Sequence, residues 1–444
     1  VERTGVHHLV GGLIGRLRGR RGDGMGAGPS GGPAALTALD VGTEFAKALV
    51  VALEPSGDGT AAIVRGAGRQ RQGLTHMQSG TVTDIEAVVA NCRKALDEAE
   101  AQARLRPRSA VIGIAGELVK GTTSSGTVRR HDPKLPLGEA ELERIVTQVQ
   151  GEALDDAERR IAWESGVERL DVRLVHAAIV EIKIDGYVVS NPIGFTGAQV
   201  ELAVFNAFAP MVHLGALQSV AQRLGLELLG VIAEPYAVAT CLDPGELGDA
   251  GAVFVDVGGG TTDVALVRQG GIAGTKMLAL GGRAFTRGLA ERFGLSFTRA
   301  ELLKLAAAAD ELPEAVPRDA LLGALAEDAA VWRRGVALMI DDLAAGELLP
   351  ARIYLCGGGA ELPHIADVLR ADGWWRRLPF SRQPQVVALR PDDVIGLRDG
   401  TGSLGTQQDV TPMALANQAL VLDARAGATE RAMRRAVRSM SLTD

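Results

Sequence analysis

The stretch VFVDVGGGTTDVAL, residues 253–266, narrows the fold more than any other part of the chain. An apolar strand carrying Asp256 runs into Gly258, Gly259 and Gly260, then Thr261, Thr262 and Asp263, and turns apolar again. This reads as a hairpin whose tip is bare backbone flanked by hydroxyls and carboxylates. Glycine removes the Cβ that would hold an anion away from main-chain N–H groups. Two related turns follow apolar strands elsewhere: ALDVGTEFAKALV holds Asp40, Gly42, Thr43 and Lys47, and IYLCGGGAELPHI holds Gly357, Gly358 and Gly359 where a helix opens.

The three turns have compatible chemistry. Two hairpin tips supply N–H groups and hydroxyls suited to phosphate oxygens, and each is preceded by an aspartate. Carboxylates facing each other across bound phosphates, here Asp40 and Asp256, can hold Mg²⁺ through its waters, since that ion prefers oxygen and keeps most of its hydration. Lys47 can neutralise phosphate charge, and the third turn offers a helix N-terminus to the sugar and base end of a nucleotide. Any one such turn is more often a plain hairpin tip than a ligand site; three in this order, each after a strand, point to one nucleotide.

From Ala35 the pattern alternates strands and helices, which predicts an α/β fold of two lobes. ALTALDV and AKALVVAL read as strands joined by GTEF, AAIVRGAGR as a third strand, and DIEAVVANCRKALDEAEAQA as a helix capped by Asp84. SAVIGIAG is a strand, followed by a polar stretch to about Leu135 and a helix from GEAELERIV. A length of 444 residues allows two to four lobes at roughly 100–200 residues per domain. The formal net charge of −7 argues against a general nucleic-acid binder, which needs a basic face. Cys92, Cys241 and Cys356 are few, scattered and set among apolar residues, which predicts buried thiols in a reducing cytoplasm. The seven histidines show no metal-ligand spacing, and no apolar run reaches the roughly 18 residues that span a bilayer.

Taken together, the turns resemble the two phosphate motifs and the adenosine motif of the actin-like ATPase superfamily. The resemblance implies a two-lobed, ribonuclease-H-like α/β fold with ATP and Mg²⁺ between the lobes. It also assigns roles to further residues. Glu234, in VIAEPYAVA, matches the position that polarises the attacking water, with Asp256 and Asp263 completing the catalytic carboxylates. Gly281 and Gly282 match the turn bordering the nucleotide, and Glu301 and Lys304 the contacts to ribose and base.

Within the superfamily the chain is most similar to FtsA. QGLTHMQSGTVTDIEAVVANCRKAL resembles an FtsA segment, AVIGIAGELVKGTTSSGTVRR the start of the FtsA-type inserted subdomain, and NPIGFTGAQVELAV the return from it. The resemblance covers about Ala38 to Leu369 and implies the following division. A basic tail and linker occupy 1–34, the first lobe 35–105 and 197–240, the insert 106–196, the second lobe 241–415, and a basic C-terminal tail 416–444. The implied function is an ATP-binding protein with weak or assembly-coupled ATPase activity. It would polymerise with itself and tie FtsZ filaments to the cytoplasmic face of the membrane, as a peripheral protein. A PilM-like component of pilus assembly is the near alternative, and a small-molecule kinase a more distant one.

The chain departs from the FtsA pattern in three places, one of them the segment from about Ala306 to Leu349, which is short and alanine-rich. Glu234 is not a constant FtsA feature, so its presence favours hydrolysis. The end ERAMRRAVRSMSLTD places Met433, Val437 and Met440 beside arginines and is only mildly apolar. At the other end Val6, Leu9, Val10, Leu13, Ile14 and Leu17 share one helical face beside Arg16, Arg18, Arg20 and Arg21, a pattern suited to an anionic membrane surface. Gly11, Gly12 and Gly15 each weaken that helix by about 1 kcal/mol, and Met25 offers an alternative start.

Overall fold

The computed structural model describes residues 34–423, except 57–58, 167–169, 249, 269–270 and 315–316. Both terminal basic segments, 1–33 and 424–444, with the membrane-docking faces expected there, lie outside the described residues.

Strand β1 (Ala35–Val41) pairs antiparallel with β2 (Phe45–Ser56), and β2 with β3 (Gly59–Arg71). A two-rung hairpin, β4 (Met77–Gln78) and β5 (Thr81–Val82), leads to α1 (Ile85–Ala103). Asp84 caps α1, accepting a 3.0 Å bond from the Ala87 N–H, as its position predicts. The helix lies so close on β3 that a Cβ at Gly68 would fall 1.9 Å from the Ala95 carbonyl oxygen; the glycines of AAIVRGAGR make room for it. β6 (Ser109–Ile114) then adds parallel to β1.

Next come β7 (Lys120–Arg129), α2 (Glu139–Ser165), β8 (Val172–Ile184), β9 (Tyr187–Val188) and β10 (Gln199–Pro210). Helix α3 (Met211–Leu224) and β11 (Glu227–Ala233) bring the chain back beside β6, and α4 (Glu234–Ala239) follows directly. After a single turn, α5 (Pro244–Leu247), come β12 (Ala252–Val257), β13 (Thr262–Arg268), β14 (Gly271–Leu278), α6 (Gly282–Phe293), α7 (Phe297–Ala308), α8 (Arg318–Ala344), β15 (Arg352–Cys356), α9 (Pro363–Arg370), β16 (Gln385–Ala388), β17 (Leu397–Asp399) and α10 (Val410–Asp423).

Two sheets result. One has the order β11-β6-β1-β2-β3-β17, the other β16-β15-β12-β13-β14-β7-β10-β8-β9. Strand pairing puts β6 in the first sheet and β10 in the second, while Phe205, Ala207 and Ala209 at the end of β10 pack in the core of the first sheet. The inserted block joins the second sheet where β7 meets β14 at Gly274 and Thr122, and it has its own apolar core under α2 around Leu142, Val146 and Ile182.

The C-terminal end of the described chain also departs from expectation. β17 pairs parallel with β3, and α10 buries Val410, Met413, Ala414, Leu415, Ala416 and Ala419 in the core of the first sheet. β17 and α10 therefore pack with the first sheet, and Ala416–Ala419, expected in the tail, are buried there. The three cysteines are buried thiols, as expected. Among the described residues no helix is long and apolar enough to cross a membrane.

Candidate nucleotide cleft between the lobes

Each sheet sends one hairpin towards the other. In β1–β2 the register sets Asp40 opposite Lys47, and the Gly42 N–H closes the tip on the Phe45 carbonyl at 3.1 Å. In β12–β13 it sets Asp256 opposite Asp263, and the Gly258 N–H closes on the Thr261 carbonyl at 2.8 Å. The tips touch: a Cβ on Gly259 would lie 2.6 Å from Glu44 Cβ, and one on Gly260 2.8 Å from Thr43 Cγ2.

Arg283, in the first turn of α6, fastens them together. Its backbone N–H donates to the Gly259 carbonyl at 2.7 Å, while its guanidinium donates to Glu44 Oε2 at 2.7 Å and to the Thr43 carbonyl at 2.8 Å. Arg71 pairs with the other Glu44 oxygen at 2.6 Å and reaches Glu301 at 3.6 Å.

The third glycine turn closes the same space. Gly357 has φ of 85°, a left-handed conformation natural to glycine, and a Cβ there would lie 2.1 Å from Asp256 Oδ1. Between the three turns lies a cavity of about 380 Å³. It is lined by Asp40, Gly42, Thr43, Lys47, Glu234, Asp256, Gly258, Gly259, Thr261, Asp263, Gly282, Glu301, Lys304, Gly357, Gly358 and Gly359. Sixteen of the nineteen expected site residues thus share one crevice between the lobes.

The comparisons with known proteins find similarity in both sequence and fold. The family model described as cell division protein FtsA matches residues 253–392, which hold the second hairpin and the third turn. FtsA of Pseudomonas aeruginosa is 28% identical over 271 residues, covering 61% of this chain and 60% of its own length. FtsA of Escherichia coli is 28% identical over 276 residues with the same coverage. Among solved structures, the PilM–PilN type IV pilus biogenesis complex superposes with a TM-score of 0.59 at 18% identity, covering 87% of this chain and 98% of that one. The chain is thus similar to FtsA in sequence, and its fold is similar to that of the PilM–PilN complex. It spans about three-fifths of the length of the curated FtsA relatives it matches.

Three expected residues of the FtsA-like cleft do not face it. Thr262 is fully buried on the far side of β13, its hydroxyl donating to the Leu280 carbonyl at 2.6 Å and accepting from Trp332 Nε1 at 2.8 Å. Alternation along the strand sends its neighbours Thr261 and Asp263 the other way. Gly281 supports the hairpin from behind, where a Cβ would meet the Gly258 carbonyl at 2.6 Å, and Gly260 faces Thr43. Glu301 and Lys304 do line the cleft but also pair with each other at 2.8 Å. The Lys304 ammonium donates to the Gly282 carbonyl at 3.0 Å, and the Thr286 hydroxyl donates to Glu301.

Other cleft residues are not among those expected from the sequence. Thr411, on α10, donates to Asp256 Oδ2 at 2.6 Å, which ties the end of the described chain to the second hairpin. Gly113 makes space for Glu234, since a Cβ there would lie 2.4 Å from Glu234 Oε1. Glu44, Arg71, Arg283 and His213 complete the lining from separate elements.

Acidic groups outnumber cations inside this FtsA-like cleft. Burial raises the Glu234 carboxyl well above the usual range, and Asp40, Asp263 and Asp256 add to the effect against the pull of Lys47. Burial pushes Asp263 up to about 8, with Asp256 contributing. Burial likewise raises Asp256, opposed by the Thr411 hydroxyl and Lys47. Burial works against the Lys47 ammonium, but Asp40, 3.2 Å away, together with Asp256 and Asp409, holds its pKa above the ordinary value. Lys47 also donates to the Gln408 carbonyl at 2.7 Å, so its head is fixed among the acids.

Proposed function

We propose that this chain binds ATP with Mg²⁺ between its lobes, hydrolyses it slowly, and uses the nucleotide state to govern self-assembly and the attachment of FtsZ filaments to the inner face of the membrane. The observation that carries the reading is the meeting of two glycine-tipped hairpins, one from each sheet, over a cavity lined by carboxylates.

The donor set fits a hydrated divalent cation. Asp40 and Asp256 present carboxylate oxygens in the cavity beside Asp263 and Glu234, and a hydrated divalent cation there would offset the charge of these acids. When bound, Mg²⁺ supplies charge neutralisation at the phosphates. The chain supplies the rest. The Gly42 and Gly258 N–H groups close their own hairpins, so the backbone N–H groups of Thr43 and Gly259–Thr261 would hold the phosphate oxygens, and Lys47 would balance their charge. Glu234, seated against Gly113, orients the attacking water and takes its proton, a task suited to a carboxylate of raised pKa. Asp263 supports it. Positioning and fixed charge are the main catalytic contributions in phosphoryl transfer, so a cleft completed by a neighbouring subunit turns over faster than an isolated one.

The cell-division role rests on the FtsA relatives, and membrane contact on the arginine-flanked termini read from the sequence. It is tested by co-flotation with liposomes containing anionic lipid, with FtsZ and MgATP present. The expected result is FtsZ carried up only by chain that retains 1–24 and 430–444; flotation of FtsZ indifferent to both deletions contradicts it. The fold similarity to the PilM–PilN complex supports the pilus reading as the second one, and binding of a short peptide from an inner-membrane pilus protein in place of FtsZ would select it.

A further inference from the structure

The two aspartates of the hairpins are held in different ways. In the first hairpin the register places Lys47 opposite Asp40, and the ammonium donates to Asp40 Oδ2 at 3.2 Å, so the hairpin supplies its own carboxylate with a cation. In the second the same position holds Asp263, so Asp256 faces another acid. Cys356, paired with Asp256 across β12 and β15, brings only a weak thiol donor. Gly357 makes room for the carboxyl, since a Cβ there would lie 2.1 Å from Asp256 Oδ1, but its N–H is taken by the Gln407 carbonyl at 2.9 Å. A buried carboxylate that lacks a strong donor is costly, and the second hairpin has none to offer.

The donor comes from the first lobe. Thr411, in the first turn of α10, is 5% exposed, lines the cleft and donates its hydroxyl to Asp256 Oδ2 at 2.6 Å across 155 positions of sequence. Val410, Met413 and Ala414, buried in the core of the first sheet, fix the turn that carries it. The residues just before Thr411 extend the same strap over the cleft. The Gln408 carbonyl accepts from Lys47 at 2.7 Å, and the Gln407 carbonyl accepts from Gly357. One oxygen of a second-lobe carboxylate is thus aimed by a hydroxyl whose place is set in the first lobe.

We propose that Thr411 is a positioning residue for the magnesium site, its hydroxyl turning and holding the Asp256 carboxylate across the lobe boundary so that it meets the waters of the metal. This rests on the reading of the cleft as a site for ATP with Mg²⁺ and adds a residue outside the three glycine turns. Groups that hydrogen-bond the carboxylates around a metal help set its affinity, and removing one lowers that affinity about tenfold to a hundredfold.

The test uses the full chain and measures binding of a non-hydrolysable ATP analogue by calorimetry over a series of Mg²⁺ concentrations, for wild type, Thr411→Val and Thr411→Ser. Valine keeps the shape and loses the donor; serine keeps the donor. The Mg²⁺ concentration that half-restores analogue binding should rise about tenfold or more in Thr411→Val and stay within about twofold of wild type in Thr411→Ser. At excess Mg²⁺ the valine variant should recover most of its analogue affinity. A loss of affinity that is equal at every Mg²⁺ concentration assigns Thr411 to packing and overturns the proposal, as does a serine variant no better than valine. Wild-type binding that is absent, or indifferent to Mg²⁺, is a separate result that overturns the reading of the cleft itself. Should Thr411→Val not fold, the half-restoring Mg²⁺ concentrations of Thr411→Ala and Thr411→Ser decide between the same outcomes.

Discussion

At Asp263 burial alters the ordinary behaviour of a carboxyl, moving it from 3.8 to about 8. The folded chain holds this proton more tightly than the unfolded chain does. The contribution to stability is therefore complete below about pH 4 and is lost as pH rises through 8. Asp263→Asn cannot ionise, so its melting temperature in the absence of nucleotide should match wild type near pH 4 and exceed it by several degrees at pH 8; parallel pH profiles in calorimetry would contradict the assignment. Glu234 makes a different prediction, since it touches the cavity but no hairpin tip. Glu234→Ala should bind MgATP with near-normal affinity and release phosphate about a hundredfold more slowly, the scale of a lost general base. Unchanged phosphate release would remove its role. Neither residue's environment is legible from its own motif. The space Glu234 occupies is left by Gly113, more than a hundred residues earlier in the chain.

At the scale of elements, the hairpins and helices that were legible are those with a clean period. Apolar runs flanking glycine turns identify β1, β2, β12 and β13, alternation identifies β8, and a capped amphipathic face identifies α1. Strand β7, KGTTSSGTVR, escaped because it has hardly any apolar residues; it is fixed by neighbours on both sides, β10 and β14, rather than by its own sequence. Helix α10 escaped for the opposite reason: VTPMALANQALVLD is apolar all round, so no face stands out until the first sheet encloses it. Thr262 was misplaced because a hydroxyl in a motif was read without asking which side of the strand it occupies. The joint between α6 and the first hairpin was also invisible in sequence, because Arg283 and Glu44 are 239 positions apart. Arg283→Ala removes both guanidinium bonds across the tips. The amides of Gly42–Phe45 should exchange markedly faster by hydrogen–deuterium exchange, and MgATP affinity should fall several-fold, as for a partly buried charged hydrogen bond. Unaltered exchange at those amides would mean that the tips hold together without it.

For the molecule as a whole, the path of the chain explains why the site sits where it does. The first lobe is built, the inserted block is added to the far sheet, the second lobe follows, and α10 then returns to the first core with Thr411 against Asp256. Each lobe is thus tied to the other near the carboxylates, where a change in bound phosphate can bias their relative position and through it self-assembly. The two-lobed plan was legible because three glycine turns repeat one local grammar. The sheet to which β6, β10 and β17 belong is not legible, because it depends on pairing partners remote in sequence. The most direct test is the structure of the full chain crystallised with Mg²⁺ and a non-hydrolysable ATP analogue. The account predicts one triphosphate whose oxygens accept from the N–H groups of Thr43 and of Gly259–Thr261 at once, with the metal's waters on Asp40 and Asp256. A nucleotide held by one hairpin alone, or bound outside the cleft, would contradict it.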